Sequence, residues 1–226
     1  MSQTYTGDTY TGDVAVGGPP DVRELPGLTI SKVAVSDMAN NAYLLRDTAT
    51  GQALLVDAAA EPETLRGLIG DADLRTVVTT HGHWDHHRAL PDVLRATGAQ
   101  AVAHAADADD LPVDVDRTVE HGDTVTVGAH TLEVVHLRGH TPGSIALVYR
   151  AQGDGGVHVF TGDSLFPGGV GNTQQDPERF ASLIDDVEQR LFDVLPDEAW
   201  VYPGHGKDTT LGTERPHLAE WRSRGW

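Results

Sequence analysis

From residue 28 onward the chain alternates short β-branched or apolar runs with turn clusters. Leu28 to Val35, Asn41 to Leu45 and Ala53 to Val56 read as three successive strands, with a turn between Asp47 and Gly51. A helix is expected from Pro62, with Leu65, Leu68 and Ile69 on one face and Gly70 closing it. Thr76 to Thr80 is a β-branched strand, followed by a helix with Leu90, Val93 and Leu94 spacing that stops at Gly98. Ala101 to Ala103 is a short strand leading into an Asp-rich helix or loop that reaches Asp110. The second half repeats the scheme loosely, with strands expected at Thr124 to Val127, Thr131 to Leu137, Ile145 to Arg150, Val157 to Thr161 and Ala199 to Tyr202. Between the last two, Asp176-Pro177 opens a helix whose stripe is Phe180, Leu183, Ile184, Val187, Leu191 and Leu195, ended by Pro196. Runs of strands with helices after each run predict packed sheets covered by helices, a layered α/β domain.

The 226 residues fit one domain, able to bury about 70 % of its unfolded surface. The first 22 residues are expected to form a flexible arm. They carry a duplication, Thr4-Tyr5-Thr6-Gly7-Asp8 followed by Thr9-Tyr10-Thr11-Gly12-Asp13, and then Gly17-Gly18-Pro19-Pro20 before a domain over residues 23–226. Sixteen Lys and Arg against 34 Asp and Glu give a net charge of −18, a field that repels phosphate backbones and anionic lipid. Nucleic acid and membranes are therefore not expected partners; the oligomeric state is left open. With no cysteine there is no disulfide, thiolate ligand or Cys nucleophile. No apolar run spans a bilayer and residues 1–20 lack a signal-peptide pattern, so a cytoplasmic protein is expected.

The chemistry gathers in one sequence of six residues, His81-Gly82-His83-Trp84-Asp85-His86, directly after the Thr76 to Thr80 strand. Residues two apart on an extended segment point the same way, so His81 and His83 can share one metal. Asp85 and His86, where the next helix begins, can serve a second. With 12 His in the chain, this arrangement should arise by chance roughly 0.003 times. His140, Asp163 and His205 each follow a strand end on a Gly-flanked turn, the usual address of functional loops. Five imidazoles and two carboxylates suit zinc, and also accept iron or manganese. Two such ions can bridge a water, lower its pKa towards neutrality and polarise a carbonyl.

This pattern, with Thr161-Gly162-Asp163-Ser164-Leu165-Phe166 and Gly139-His140-Thr141-Pro142-Gly143, resembles the metallo-β-lactamase superfamily, and within it the glyoxalase II-like hydrolases. The resemblance covers roughly residues 28–205. It implies an αββα sandwich with two divalent metal ions, zinc by preference, at one edge. It implies that His81, His83 and His140 hold the first ion, that Asp85, His86 and His205 hold the second, and that Asp163 bridges them. Asp57, ending the Leu54-Leu55-Val56 strand, matches a position that supports a ligand; a strand-end turn or cap is the alternative reading. We also assign Asp85 as the catalytic residue, and Phe166, Gly168, Gly169, Gly171 and Asn172 as a substrate loop. Departures touch the substrate. Arg88-Ala89 replaces the usual Gly-Gly, Asn172 stands where relatives often place Arg, and only 21 residues follow His205 where glyoxalase II proper adds a glutathione-binding helical domain.

The expected function is hydrolysis of a small thioester or activated ester by hydroxide held between two zinc ions. A mononuclear-iron persulfide dioxygenase on the same fold is the rival enzyme, and a metal-holding interaction module without turnover is the non-enzymatic one. His87 is expected in solvent. His104, His121, His130, His136, His158 and His217 are ordinary polar residues, and the Asp107 to Asp116 run is a solvated face. Trp221 and Trp226, with Arg222 and Arg224, are expected to dock the chain end.

Overall fold

The structure, a computed structural model, describes residues 10–225. Seven strands form the first sheet in sequential order: β1 (Asp21–Leu25), β2 (Leu28–Val35), β3 (Asn40–Asp47), β4 (Gln52–Val56), β5 (Asp73–Val78), β6 (Gln100–His104) and β7 (Arg117–Val119). The first four pair antiparallel, and β4 to β7 pair parallel. Helices α1 (Pro62–Ile69) and α2 (Leu90–Thr97) make the crossovers β4–β5 and β5–β6. The second sheet contains β8 (Thr124–Val127), β9 (His130–His136), β10 (Ile145–Arg150) and β11 (Val157–Gly162). A hairpin of β12 (Leu165–Phe166) and β13 (Gly169–Val170) leads to α3 (Pro177–Val187), then to β14 (Trp200–Pro203) and β15 (Thr209–Thr210). Sheet order is β15-β14-β11-β10-β9-β8, and α4 (Leu211–Glu214) and α5 (Leu218–Arg224) end the described chain.

Alternation along the strands builds three apolar layers. On β3, Tyr43 and Leu45 face the layer between the sheets, while Ala42 and Leu44 face out toward α1 and α2. On β10, Ile145, Leu147 and Tyr149 face the same inner layer, and Ala146 and Val148 face the α3 side. Leu65, Ile69, Leu90 and Val93 cover the first sheet; Phe180, Leu183, Ile184 and Val187 cover the second. The central strands of each sheet therefore have both faces buried, and the architecture is the expected single αββα sandwich. The stripe expected to run from Asp176 to Leu195 as one helix is α3 plus a wider π turn over 188–192, which lets the adjacent Leu191 and Phe192 both reach the core. Trp221 docks there against Phe192, with ring centroids 6.5 Å apart; Trp226 lies outside the described residues.

The expected flexible arm over residues 1–22 is corrected from residue 10 on; the first copy of the duplication and Thr9 lie outside the described residues. Tyr10 is buried, and its hydroxyl donates to Asp208 at 2.8 Å. Gly12 carbonyl accepts from the buried Lys32 ammonium at 2.8 Å, and Lys207 pairs with Asp13 at 2.7 Å. Residue 22 is itself inside β1. The segment is fixed because Lys32, with no exposure at all, finds its hydrogen-bond acceptors, among the described residues, there and in the Gly206 to Asp208 turn.

Candidate metal centre

The seven donors arrive on turns at one edge of the sandwich. Past β5 the chain bends over residues 80–82, is extended at His83 and then closes a 3₁₀ turn over Trp84–His86. His81 and His83 rings lie 4.9 Å apart, and the His140 ring, on the turn after β9, lies 4.8 Å from His81 and 4.5 Å from His83. Asp163 follows β11. One of its oxygens is 3.4 Å from His86 Nε2, and the other is 3.7 Å from His140 Nε2 and 3.5 Å from His205 Nε2. His205, on the turn after β14, is 3.3 Å from Asp85 Oδ2. Three groups therefore have donor atoms mutually within 4.8 Å: His81, His83 and His140; His81, His86 and Asp163; and Asp85, His86 and His205.

The outer nitrogens of four of the five histidines are already engaged. His86 Nδ1 lies 2.9 Å from Asp57, His140 Nδ1 2.9 Å from the Asn172 carbonyl, and His205 Nδ1 2.9 Å from the Met38 carbonyl. His81 Nδ1 meets Thr80 Oγ1 at 3.1 Å. Carbonyl and carboxylate acceptors hold a proton on Nδ1 and so turn Nε2 inward. Asp57 also accepts from Thr80 N and Thr80 Oγ1, and it holds a left-handed φ of 58° to do so. Asn40, buried and 45 residues from the motif, donates Nδ2 to Asp85 Oδ2 at 2.8 Å.

The donor set fits divalent cations. The buried Nε2 atoms of His81 and His140 have no hydrogen-bond partner among the described residues. Burial first, then neighbouring imidazoles, pushes His81 well below the ordinary histidine value, so it keeps its lone pair. Burial takes His140 down to about 4, despite the opposing pull of Asp163. His86 moves the other way: burial opposes its charge, but Asp163 and Asp57 outweigh that and carry it to about 10. Asp163 is likewise held below the carboxylate range against its own burial, by His86, His205 and His140. Two carboxylates and two neutral imidazoles with unused lone pairs make a centre that favours positive charge.

A cavity of about 530 Å³ opens beside it, lined by His140, Asp163, Phe166, Pro167, Gly171, Asn172, His205, Gly206 and Lys207. Of the expected substrate loop, Phe166, Gly171 and Asn172 line this cavity. Gly168 and Gly169 turn away, the first donating to Glu214 and the second lying beside Arg224. At Gly171 a Cβ would come 2.8 Å from His140 Nδ1, so only glycine lets the loop pass this close. Asp85, the expected catalytic residue, does not line the cavity; its carboxylate faces His205, His86 and Asn40.

Several histidine expectations change. His87 is buried rather than in solvent, because the 3₁₀ turn ends on it and directs its ring back to the Gly82 carbonyl, 3.2 Å from Nε2. His104 stacks on His136 at 4.0 Å, and His130 and His158 reach Tyr149 and Tyr202; none joins a metal group among the described residues. The Asp107 to Asp116 run is solvated only in part. Asp107 is 1 % exposed and was hidden in the sequence by its acidic neighbours. Asn40 and Asp107 gave no spacing signal, since what they support lies tens of residues away.

A model of the metallo-beta-lactamase superfamily matches residues 35–205. The chain is 37 % identical over 169 residues to a hydroxyacylglutathione hydrolase of Fuscovulum blasticum, covering 74 % of this chain and 62 % of that protein. Among solved structures, ETHE1 from Myxococcus xanthus superposes with a TM-score of 0.74 at 32 % identity, over 86 % of this chain and 84 % of that one. TTHA1623 in a di-iron-bound form gives a TM-score of 0.67 at 30 % identity, over 81 % and 96 %.

Proposed function

The chain belongs to the metallo-beta-lactamase superfamily, and on that premise we propose that it is a metal-dependent hydrolase of a small thioester or activated ester. The observation that carries this reading is the inward convergence of Nε2 atoms whose partner nitrogens are already bonded, beside an open cavity. His81, His83 and His140 would hold one divalent ion, Asp85, His86 and His205 a second, with Asp163 facing both. When bound, the ions supply a Lewis acid for the carbonyl and make water more acidic. The chain's own residues do the rest. Asp57 and Asn40 fix His86 and Asp85 in orientation. The Asn172 carbonyl orients His140 and thereby ties the ligand to the cavity wall. Phe166 and Pro167 exclude water from one side of the substrate. A thiol departs with a pKa of about 8.5, so its release needs no proton from a side chain.

Zinc is the preferred ion, and the solved di-iron relative keeps iron as the second reading. Elemental analysis and a panel of thioesters, oxyesters and lactones, run on one preparation, test both. Two zinc ions per chain, with thioester kcat/KM of at least about 10⁴ M⁻¹s⁻¹ that is lost on chelation, is the expected result. One iron per chain with no hydrolysis on the panel would overturn it in favour of a dioxygenase.

A further inference from the structure

Asp107 sits just past β6, before the 3₁₀ turn over Ala108–Asp110, and none of its atoms lies in the metal groups or lines the cavity. Its carboxylate is nonetheless buried and spends all its hydrogen bonds on the turns that carry three of the histidines. Oδ2 accepts from Gly82 N at 2.8 Å, between His81 and His83. The same oxygen accepts from Thr141 Oγ1 at 2.5 Å, and Oδ1 accepts from Gly143 N at 2.6 Å, both just after His140. The His81 turn leaves the first sheet and the His140 turn leaves the second, so the three-histidine group straddles the two. Main chain links these turns through Ile145 N to Thr80 O, at 2.9 Å. Glycine at 82 and 143 lets the carboxylate come close: a Cβ at Gly143 would lie 2.7 Å from Asp107 Cγ, and one at Gly82 3.3 Å from Asp107 Cβ.

We infer that Asp107 is a positioning residue, a carboxylate clamp that sets the spacing of His81 and His83 against His140 and so governs the metal affinity of that group alone. The group of Asp85, His86 and His205 does not depend on it. Asp85 and His86 are held by Asn40 and Asp57, and His205 by the Met38 carbonyl, none of which touches Asp107. A charged acceptor bonded to two amides and a hydroxyl gives hydrogen bonds about twice as strong as neutral ones, and an Asn cannot accept from all three.

The inference rests on the two-ion reading, and its test does not use turnover. Full-length Asp107→Asn and Thr141→Val are loaded with zinc and titrated with a competing chelator, alongside the unaltered chain, and the metal-free forms are melted. Asp107→Asn is expected to weaken one of the two ions by about 10- to 100-fold and leave the other within twofold. Thr141→Val, which removes one donor and keeps the carboxylate, should weaken the same ion by less. Equal weakening of both ions in step with a lowered metal-free Tm would make Asp107 a scaffold residue and overturn the proposal. So would two ions of unchanged affinity. If Asp107→Asn does not fold, Thr141→Val decides: a loss confined to one ion supports the clamp, and no loss overturns it. An unaltered chain that binds a single ion would refute the two-ion reading. The clamp is then judged by whether that ion's affinity falls in the variants.

Discussion

Asp163→Ala is expected to strip more metal from the protein than any other single ligand replacement, leaving less than half the bound metal after dialysis. It should lower kcat/KM by at least about 100-fold. The reason is geometric. Asp163 alone among the seven donors has one oxygen turned to His86 and the other to His140 and His205, so its loss removes a donor from both groups. It also removes a carboxylate charge that His86 faces, which weakens the pull of the whole centre on cations. His81→Ala should loosen one ion more than the other. His217→Ala is the control, an exposed histidine whose ion-pair contact among the described residues is Glu220. Metal content by mass spectrometry checks this, and full metal with full activity in Asp163→Ala would refute the shared position.

The second large effect concerns folding. Lys32 and Asp208 form an ion pair at 2.6 Å with neither side chain exposed. Burial pushes the Lys32 ammonium down and the Asp208 carboxyl up, while each one's charge holds the other ionised. Asp208 further accepts from Tyr10 and from Trp200 Nε1, and Lys32 donates to the Gly12 and Gly206 carbonyls. Asp208→Ala leaves a buried ammonium without its counter-charge and is expected to destabilise the fold by about 3–5 kcal/mol. In a chain of this length that lowers Tm by roughly 6–20 °C. Adding Lys32→Met should restore part of the loss, since no unpaired charge then remains. Thermal melts decide, and a drop below about 1 °C in Asp208→Ala would show that the ion pair contributes nothing to stability.

What the sequence made legible follows from the chemistry of each segment. Ile145 to Arg150 coincides with an observed strand because its apolar run is buried on both faces, Leu28 to Val35 because its apolar positions are buried around Ser31 and Lys32, and Thr124 to Val127 because Val125 and Val127 are buried while Thr124 and Thr126 alternate into solvent. β1 escaped because Asp21, Arg23 and Glu24 break any apolar period; Arg23 is nonetheless buried, stacked 4.3 Å from the Tyr10 ring and 3.9 Å from that of Trp200. A guanidinium buried by aromatic stacking leaves no mark on a hydropathy pattern. The seven donors were legible because local spacing and strand-end turns placed them, and the structure brings all seven together. Their supports, Asp57 apart, were not. Asn40, Asp107 and the Met38 carbonyl act across 25 to 167 positions of sequence, and a carbonyl acceptor has no residue type to betray it.

The docked N-terminal segment gives the duplicated sequence a particular meaning. The groove formed by Lys32, Lys207 and Asp208 engages Tyr10, Gly12 and Asp13, three of the five residues in the second copy. Deleting either copy of Thr-Tyr-Thr-Gly-Asp produces one and the same chain, in which a single copy precedes Val14 as the second does now. The repeat can therefore contract by five residues with the docking sequence intact, and Tm should stay within about 2 °C. Deleting both copies instead removes Tyr10 from Asp208 and the Gly12 carbonyl from Lys32, and leaves Lys207, a wall of the cavity, without Asp13. The described contacts to Lys32, Lys207 and Asp208 are all made by one copy.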